Sequence, residues 1–150
     1  MNNFQKKGSI SNAHVGRTFE ELAKKVVEKK LKITLQKDYA LEIGLLENKP
    51  KEHKFDLGSV EHEILIECKS HTWTSGNNVP SAKMTVWNEA MYYFHLAPKD
   101  YRKIHFVLKD YNDKKDETLA HYYKRTYAHL IPKEVEIWEY DSVKKNVTVV

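Results

Sequence analysis

The run 63–69, Glu-Ile-Leu-Ile-Glu-Cys-Lys, constrains this chain more than any other stretch. Its middle is apolar and carries two β-branched isoleucines, which marks a buried strand. Side chains alternate along a strand, so Leu65, Glu67 and Lys69 share one face while Ile64, Ile66 and Cys68 share the other. A carboxylate and an ammonium therefore stand side by side at the end of an interior strand. Charge is costly to bury, and where it is buried it is paired or put to use. The pattern acid-x-Lys recurs at Glu28/Lys30, Glu47/Lys49, Glu52/Lys54 and Asp113/Lys115, as befits a chain with 31% charged residues. Those four lie in polar, helix-like or turn-like sequence and read as solvated charge. Only Glu67/Lys69 closes an apolar strand.

Asp56 lies on the preceding strand-like run, just before Gly58, with a short connection to the next. If the two runs pair as a hairpin, Asp56 reaches the same corner as Glu67. Two carboxylates with a lysine beside them suit a hard cation that prefers oxygen ligands.

Phe55-Asp56, ten residues, then Glu67-Cys68-Lys69 resembles the signature of the PD-(D/E)XK nuclease superfamily, which includes restriction endonucleases and Holliday-junction resolvases. Phe55 stands at the Pro position of that signature, which supplies no ligand. The resemblance implies a core of helix, three strands, helix and strand. It implies Asp56, Glu67 and the Cys68 backbone carbonyl as ligands of Mg²⁺, with Mn²⁺ able to substitute, and Lys69 orienting or deprotonating the attacking water or offsetting charge. Hydrolysis would leave a 5′-phosphate and a 3′-hydroxyl. The phrase Gly16-Arg17-Thr18-Phe19-Glu20 is similar to the first-helix pattern of resolvase-like and restriction-like members, in which a small residue precedes by four positions a Glu that points into the site. That carries over to Glu20, as a catalytic residue able to hold a second metal or its water. A carboxylate complementing a helix N-terminus is the plainer reading of Glu20.

A length of 150 residues suits one domain, and 41% hydrophobic residues suffice for a core. No apolar stretch approaches the roughly 18–20 residues that span a bilayer. The start, MNNFQKKGSISN, lacks the apolar run of a secretory signal. Cys68 is the single cysteine, which excludes an intrachain disulfide and makes a reducing cytoplasm the default. Its face, shared with Ile64 and Ile66, marks it as a core residue rather than a nucleophile. A net charge of +4 allows a polyanionic partner without demanding one.

Residues 1–10 form a polar lead. Ser11 or Asn12 can cap a helix reaching about residue 31, with Val15, Phe19, Leu22 and Val26 toward the core. Strands follow within 35–44 and over the two runs that carry the acidic residues. Residues 72–80 form a loop placed to touch substrate or simply to connect. Ser81 caps a second helix to about residue 97, with Met84, Trp87, Met91 and Phe94 as core and Lys83 as a candidate phosphate contact near its N-terminus. Strand 103–109 places Ile104, Phe106 and Leu108 opposite Val107. A charged turn over 110–117 leads to a third helix over 117–130, with Leu119, Tyr123, Thr126 and Leu130 on one side. Its interleaved Tyr122, Lys124, Arg125 and Tyr127 suit either packing or nucleic-acid stacking. Strand 135–140 and a short last strand at 147–150 finish the chain.

The expected fold is α/β: a mixed central sheet flanked by helices, a restriction endonuclease-like core over 11–109, and a C-terminal elaboration over 110–150. Eight histidines are present, with His53, His62 and His71 near the acidic residues, but none has zinc-ligand spacing. His71 shares the Glu67/Lys69 face if the strand persists, as a substrate contact or a strand-end residue. The expected activity is Mg²⁺-dependent endonucleolytic cleavage of DNA, by a homodimer or with a partner subunit. The rival readings are a non-catalytic nucleic-acid-binding module on the same fold and an unrelated α/β domain with a structural salt bridge.

Overall fold

The computed structural model describes residues 12–150, with side chains from His14 onward. The polar lead and the Ser11/Asn12 cap lie outside the described side chains. A long helix, α1 (Asn12–Leu31), opens the fold. An antiparallel meander follows, with β1 (Gln36–Ile43), β2 (Lys51–Ser59) and β3 (Ile64–Lys69). Helix α2 (Ser81–Leu96) crosses over to β4 (Arg102–Leu108). A small hairpin of β5 (Tyr111–Asn112) and β6 (Glu117–Thr118) runs directly into α3 (Leu119–Thr126). Strands β7 (Val135–Asp141) and β8 (Asn146–Val149) complete a six-stranded mixed sheet in the order β1-β2-β3-β4-β7-β8. β3, β4 and β7 are parallel and the other pairings antiparallel.

Helices cover both faces. On one side α1 lays Val15, Phe19, Ala23 and Val27 against Leu57, Ile64, Ile66, Ile104 and Phe106. The buried stripe is centred one residue beyond the expected one, with Ala23 and Val27 fully enclosed and Leu22 and Val26 at its border. On the other side α2 and α3 place Met84, Trp87, Phe94 and Tyr123 over Phe55, Leu65, Val107 and Ile137. β4 is interior as its alternation requires, with Phe106 and Val107 in opposite cores. Among the described residues no helix is long and apolar enough to cross a membrane.

Three expectations are corrected. α2 begins after Pro80, and Ser81 lies within the helix without serving as its cap. Residues 117–130 are not one helix. Thr118 ends β6 and caps α3 by accepting the His121 N–H at 3.2 Å, and the chain leaves α3 at Thr126 for a short 3₁₀ turn over Ala128–Leu130. Leu130 is consequently 44% exposed and does not join Leu119 and Tyr123 in the core. The stretch 110–117 is also more than a charged turn, since it contains β5 and the start of β6.

Candidate active site

The site forms where the sheet splits. β2 and β3 pair through Ser59–Ile64, Gly58–Leu65 and Leu57–Ile66, and the ladder stops there. Strict alternation would place Phe55 and Leu57 on one face, yet Leu57 packs beneath α1 and Phe55 beneath α2. β2 therefore turns over across Asp56. Its neighbour β1 shares the turn at Asp38, which adopts a left-handed φ of 51° and drops out of the β1–β2 pairing.

The turn leaves the Cys68 peptide facing a gap. The Asp56 carboxylate fills it, with Oδ2 accepting the Cys68 N–H at 2.7 Å. In an extended strand a residue's N–H and C=O lie on the same edge, so the Cys68 carbonyl belongs to the β2 edge of β3 with its N–H. Glu67, one residue back and 5% exposed, faces the α2 side. Lys69 lies between the two acids, its Nζ 3.2 Å from Glu67 Oε2 and 4.0 Å from Asp56 Oδ2. The three residues expected to act together are thus brought together.

His53 belongs with them. It hydrogen-bonds through Nε2 to Glu67 Oε1 at 3.0 Å. It stacks on Tyr93 with ring centroids 3.6 Å apart and meets Phe55 edge-on. In the sequence His53 was only one of three nearby histidines. Its place two residues before Phe55, on the same β2 face, is the signal that could have singled it out.

These contacts set the charges. Burial, then the neighbouring Glu67 charge, pushes the Asp56 carboxyl up to about 8, against the pull of Lys69 and the Cys68 N–H. Burial also works to raise Glu67, but the hydrogen bond from His53, the Lys69 charge and the Lys69 hydrogen bond outweigh it and hold Glu67 below the usual range. The two acids divide the work: Glu67 keeps its charge and Asp56 holds the proton. Burial tends to lower Lys69, and the charges of Glu67 and Asp56 overcome this and hold it firmly protonated. The Cys68 thiol is driven well up, first by burial and then by Asp56, which leaves it inert.

Glu20, on α1, is partly buried and raised by burial and then by Asp38. The charges of Lys69 and Glu67 act on it, but it makes no hydrogen bond or ion pair with either. Among the described residues no three His, Cys, Asp or Glu side chains are gathered to hold a metal ion. Asp56 and Glu67 form a pair, and Glu20 acts on Asp56 through its charge.

His71 is held from behind, its Nδ1 accepting the Trp87 indole N–H at 2.8 Å. Burial, then Lys83 and Lys69, lowers it to about 4, so it is a neutral imidazole with its proton on Nε2. Lys83 is exposed on the first turn of α2 and acts on His71 through its charge. Trp87 is a core residue, as its helical spacing requires, whereas the sequence carries no signal for His105. His105 pairs with Glu67 across β3–β4, is fully buried, and packs edge-on against Trp87. The loop 72–80 is anchored through Trp73, whose backbone N–H and indole N–H both donate to Asp110. On α3, Arg125 grips Glu117 through two bonds, Lys124 donates to the Val150 backbone oxygen and Tyr127 stacks on Tyr123. That helix's interleaved bases and aromatics are therefore largely engaged in packing.

Compared with protein-family models, curated proteins and solved structures, the chain matches none.

Proposed function

We propose that this chain is a divalent-metal-dependent endonuclease that hydrolyses DNA phosphodiester bonds, on a restriction endonuclease-like core. The observation that carries the reading is the convergence of Asp56, Glu67 and Lys69 where β2 parts from β3. A surface salt bridge needs neither a second acid nor a broken ladder, and its partners stay solvated. Here a buried carboxylate and a half-buried one lie so close that one keeps its proton even beside Lys69, and a divalent ion would neutralise the pair more fully.

The donor set suits Mg²⁺: hard oxygens from Asp56 and Glu67, and the Cys68 carbonyl on the β2 edge of β3. When bound, Mg²⁺ supplies an acidified water and positive charge for the phosphate oxygens. Asp56 would have to give up its proton to serve as a ligand. His53 holds Glu67 from the opposite side to Lys69, fixing the carboxylate's orientation as a positioning residue. Lys69, held protonated, donates to the attacking water or a phosphate oxygen and offsets developing negative charge. His71, with Nε2–H as donor, would contact the substrate beyond Lys69.

A second reading rests on one observation: the Lys69 ammonium already bridges both acids, so the corner is electrically satisfied without metal. That favours a binding module on the same fold. A substrate panel decides between them: supercoiled plasmid, linear duplex, single strand, four-way junction and RNA, each with Mg²⁺, Mn²⁺ or EDTA. Metal-dependent DNA cleavage, reduced at least about a hundredfold in Lys69→Ala, is the expected result. Binding without cleavage by the wild type would select the module, and full activity in Lys69→Ala would refute the mechanism.

A further inference from the structure

The positive charge of this chain is unevenly placed. Residues 12–37 hold seven lysines and arginines against three glutamates, whereas residues 38–150 hold sixteen against eighteen acidic residues. Among the described residues the basic excess therefore sits on α1 and the turn that leaves it. A basic excess gathered on one element is the electrostatic footprint of a polyanionic partner.

α1 buries Val15, Phe19, Ala23 and Val27 against the sheet, so its opposite side is a ridge in solvent. Arg17, Lys25 and Lys29 stand exposed along that ridge at helical spacing, and Lys32 is exposed just beyond the last turn. None of these four forms an ion pair among the described residues. The acids of the same ridge are engaged. Glu28 pairs with Lys24 at 3.0 Å and accepts the Leu35 N–H at 2.8 Å, and Glu21 pairs with Lys37 at 3.3 Å. Lys29 complements the helix dipole from the last turn, but Arg17 and Lys25 lie too far from it to do so. Their charge is left without an internal use.

The ridge begins beside the acidic corner. Glu20 acts through its charge on Asp56, and Lys69 acts on Glu20 in turn. Arg17 precedes Glu20 by less than one turn, and Lys24 follows it by little more than one. Asp38 adds negative charge at this end, where Lys37 and Lys69 oppose it. From Glu20 to Lys32 the ridge runs about 18 Å, which matches about five base pairs of duplex. Single strands are held by stacking their bases on aromatic rings. Phe19 is the one Phe, Tyr or Trp within 12–37, and it is 1% exposed, so the ridge offers no such surface. An anionic membrane would need the apolar stripe of α1, which the sheet already covers. We propose that the outer ridge of α1 seats the phosphate backbone of double-stranded DNA along one flank of the cut, through Arg17, Lys25, Lys29 and Lys32. Contacts of this kind position the duplex and carry no sequence information. The inference deepens the endonuclease reading and rests on it for the substrate.

The test has two arms. In the first, binding of a fluorescent duplex is followed by anisotropy in EDTA between about 50 and 200 mM salt, which requires no cleavage. The variant Lys25→Gln/Lys29→Gln/Lys32→Gln keeps a good helix former at each position. Its slope of log K against log salt should be shallower by about 2.5, at about 0.9 per lost phosphate contact. Binding at the low-salt end should weaken about tenfold or more, equally for duplexes of different sequence. Arginine at the same three positions should restore the slope. Lys99→Gln/Lys133→Gln/Lys144→Gln removes the same charge from exposed lysines elsewhere and should alter the slope by less than about 1. An unchanged slope in the first variant or an equal loss in the second would overturn the ridge. Single-stranded DNA or polyglutamate bound as tightly as duplex would overturn it too. In the second arm, an active enzyme should show a raised KM when the duplex is trimmed below about five base pairs on one side of the cut, and the first variant should lose that dependence. Equal dependence in both proteins would overturn the ridge. Failure to cleave any substrate, with the expected slopes retained, would instead overturn the endonuclease reading and leave the ridge standing.

Discussion

Asp56 is half-buried beside Glu67, and because His53 and Lys69 sustain the charge on Glu67, it is Asp56 that retains a proton up to about 8. A carboxyl whose folded pKa lies above its ordinary 3.8 favours the folded state when protonated. Its contribution is therefore complete below pH 3.8 and is lost as pH rises toward about 8. Glu67 works in the opposite sense: its lowered pKa contributes stability above the usual carboxylate range that disappears in acid. The variant Asp56→Asn imitates the protonated side chain and can still accept the Cys68 N–H. In metal-free buffer it should melt higher than the wild type at pH 8, with the difference shrinking toward pH 5, while losing cleavage activity. Thermal melts of both proteins from pH 5 to pH 8 check this. A wild-type Tm that rises with pH relative to Asp56→Asn would refute the assignment of the proton to Asp56.

At the scale of elements, the corner depends on β1 and β2 turning over together at Asp38 and Asp56. Gly58 permits the close approach that follows. A β-carbon there would lie 2.5 Å from Tyr39 Cγ, and the Tyr39 ring is tethered by its hydroxyl to that of Tyr101 at 2.9 Å. Gly58→Ala should cost about 1–3 kcal/mol in urea unfolding, as overpacking does. Most of that cost should vanish in a Tyr39→Ala background, because the two changes share one contact. Additive costs would mean that the clash is not the cause. The same splitting of the ladder explains what was legible beforehand. Glu67, Lys69 and the two faces of β3 follow from local alternation, and Asp56 was within reach of a hairpin. The reversal at Asp56 has no local signature, because Phe55 and Leu57 are equally apolar and only their partners differ. His53 and His105 acquire meaning only through a partner, Glu67, that lies 14 and 38 positions away. The start of α3 shifts because Thr118, in the first turn of the expected helix, becomes its cap once the β5–β6 hairpin forms.

Across the whole molecule, metal binding, protonation and stability form one linked equilibrium. A divalent ion at Asp56 and Glu67 has to displace the Asp56 proton, so its affinity rises with pH until that group is ionised. Below about 8 the dependence should approach tenfold tighter binding per pH unit, flattening above it. Glu67 is already ionised and adds no slope in that range. The fold should register this directly, because an ion that binds only the folded chain raises its stability by RT ln(1 + [L]/Kd). At fixed Mg²⁺ the shift in Tm should therefore be small at pH 6 and large at pH 8.5. The opposite pH trend of the metal-free protein would then be offset. EDTA should restore the metal-free curve, and Asp56→Asn, with no proton to release and one ligand charge removed, should show little shift at any pH. Thermal melts across that range at several Mg²⁺ concentrations separate the possibilities. A Mg²⁺ shift independent of pH would place the ion away from Asp56. A shift of the same size in Asp56→Asn would show that the carboxylate pair is not its ligand, and the corner would then be an ion pair that Lys69 satisfies without metal.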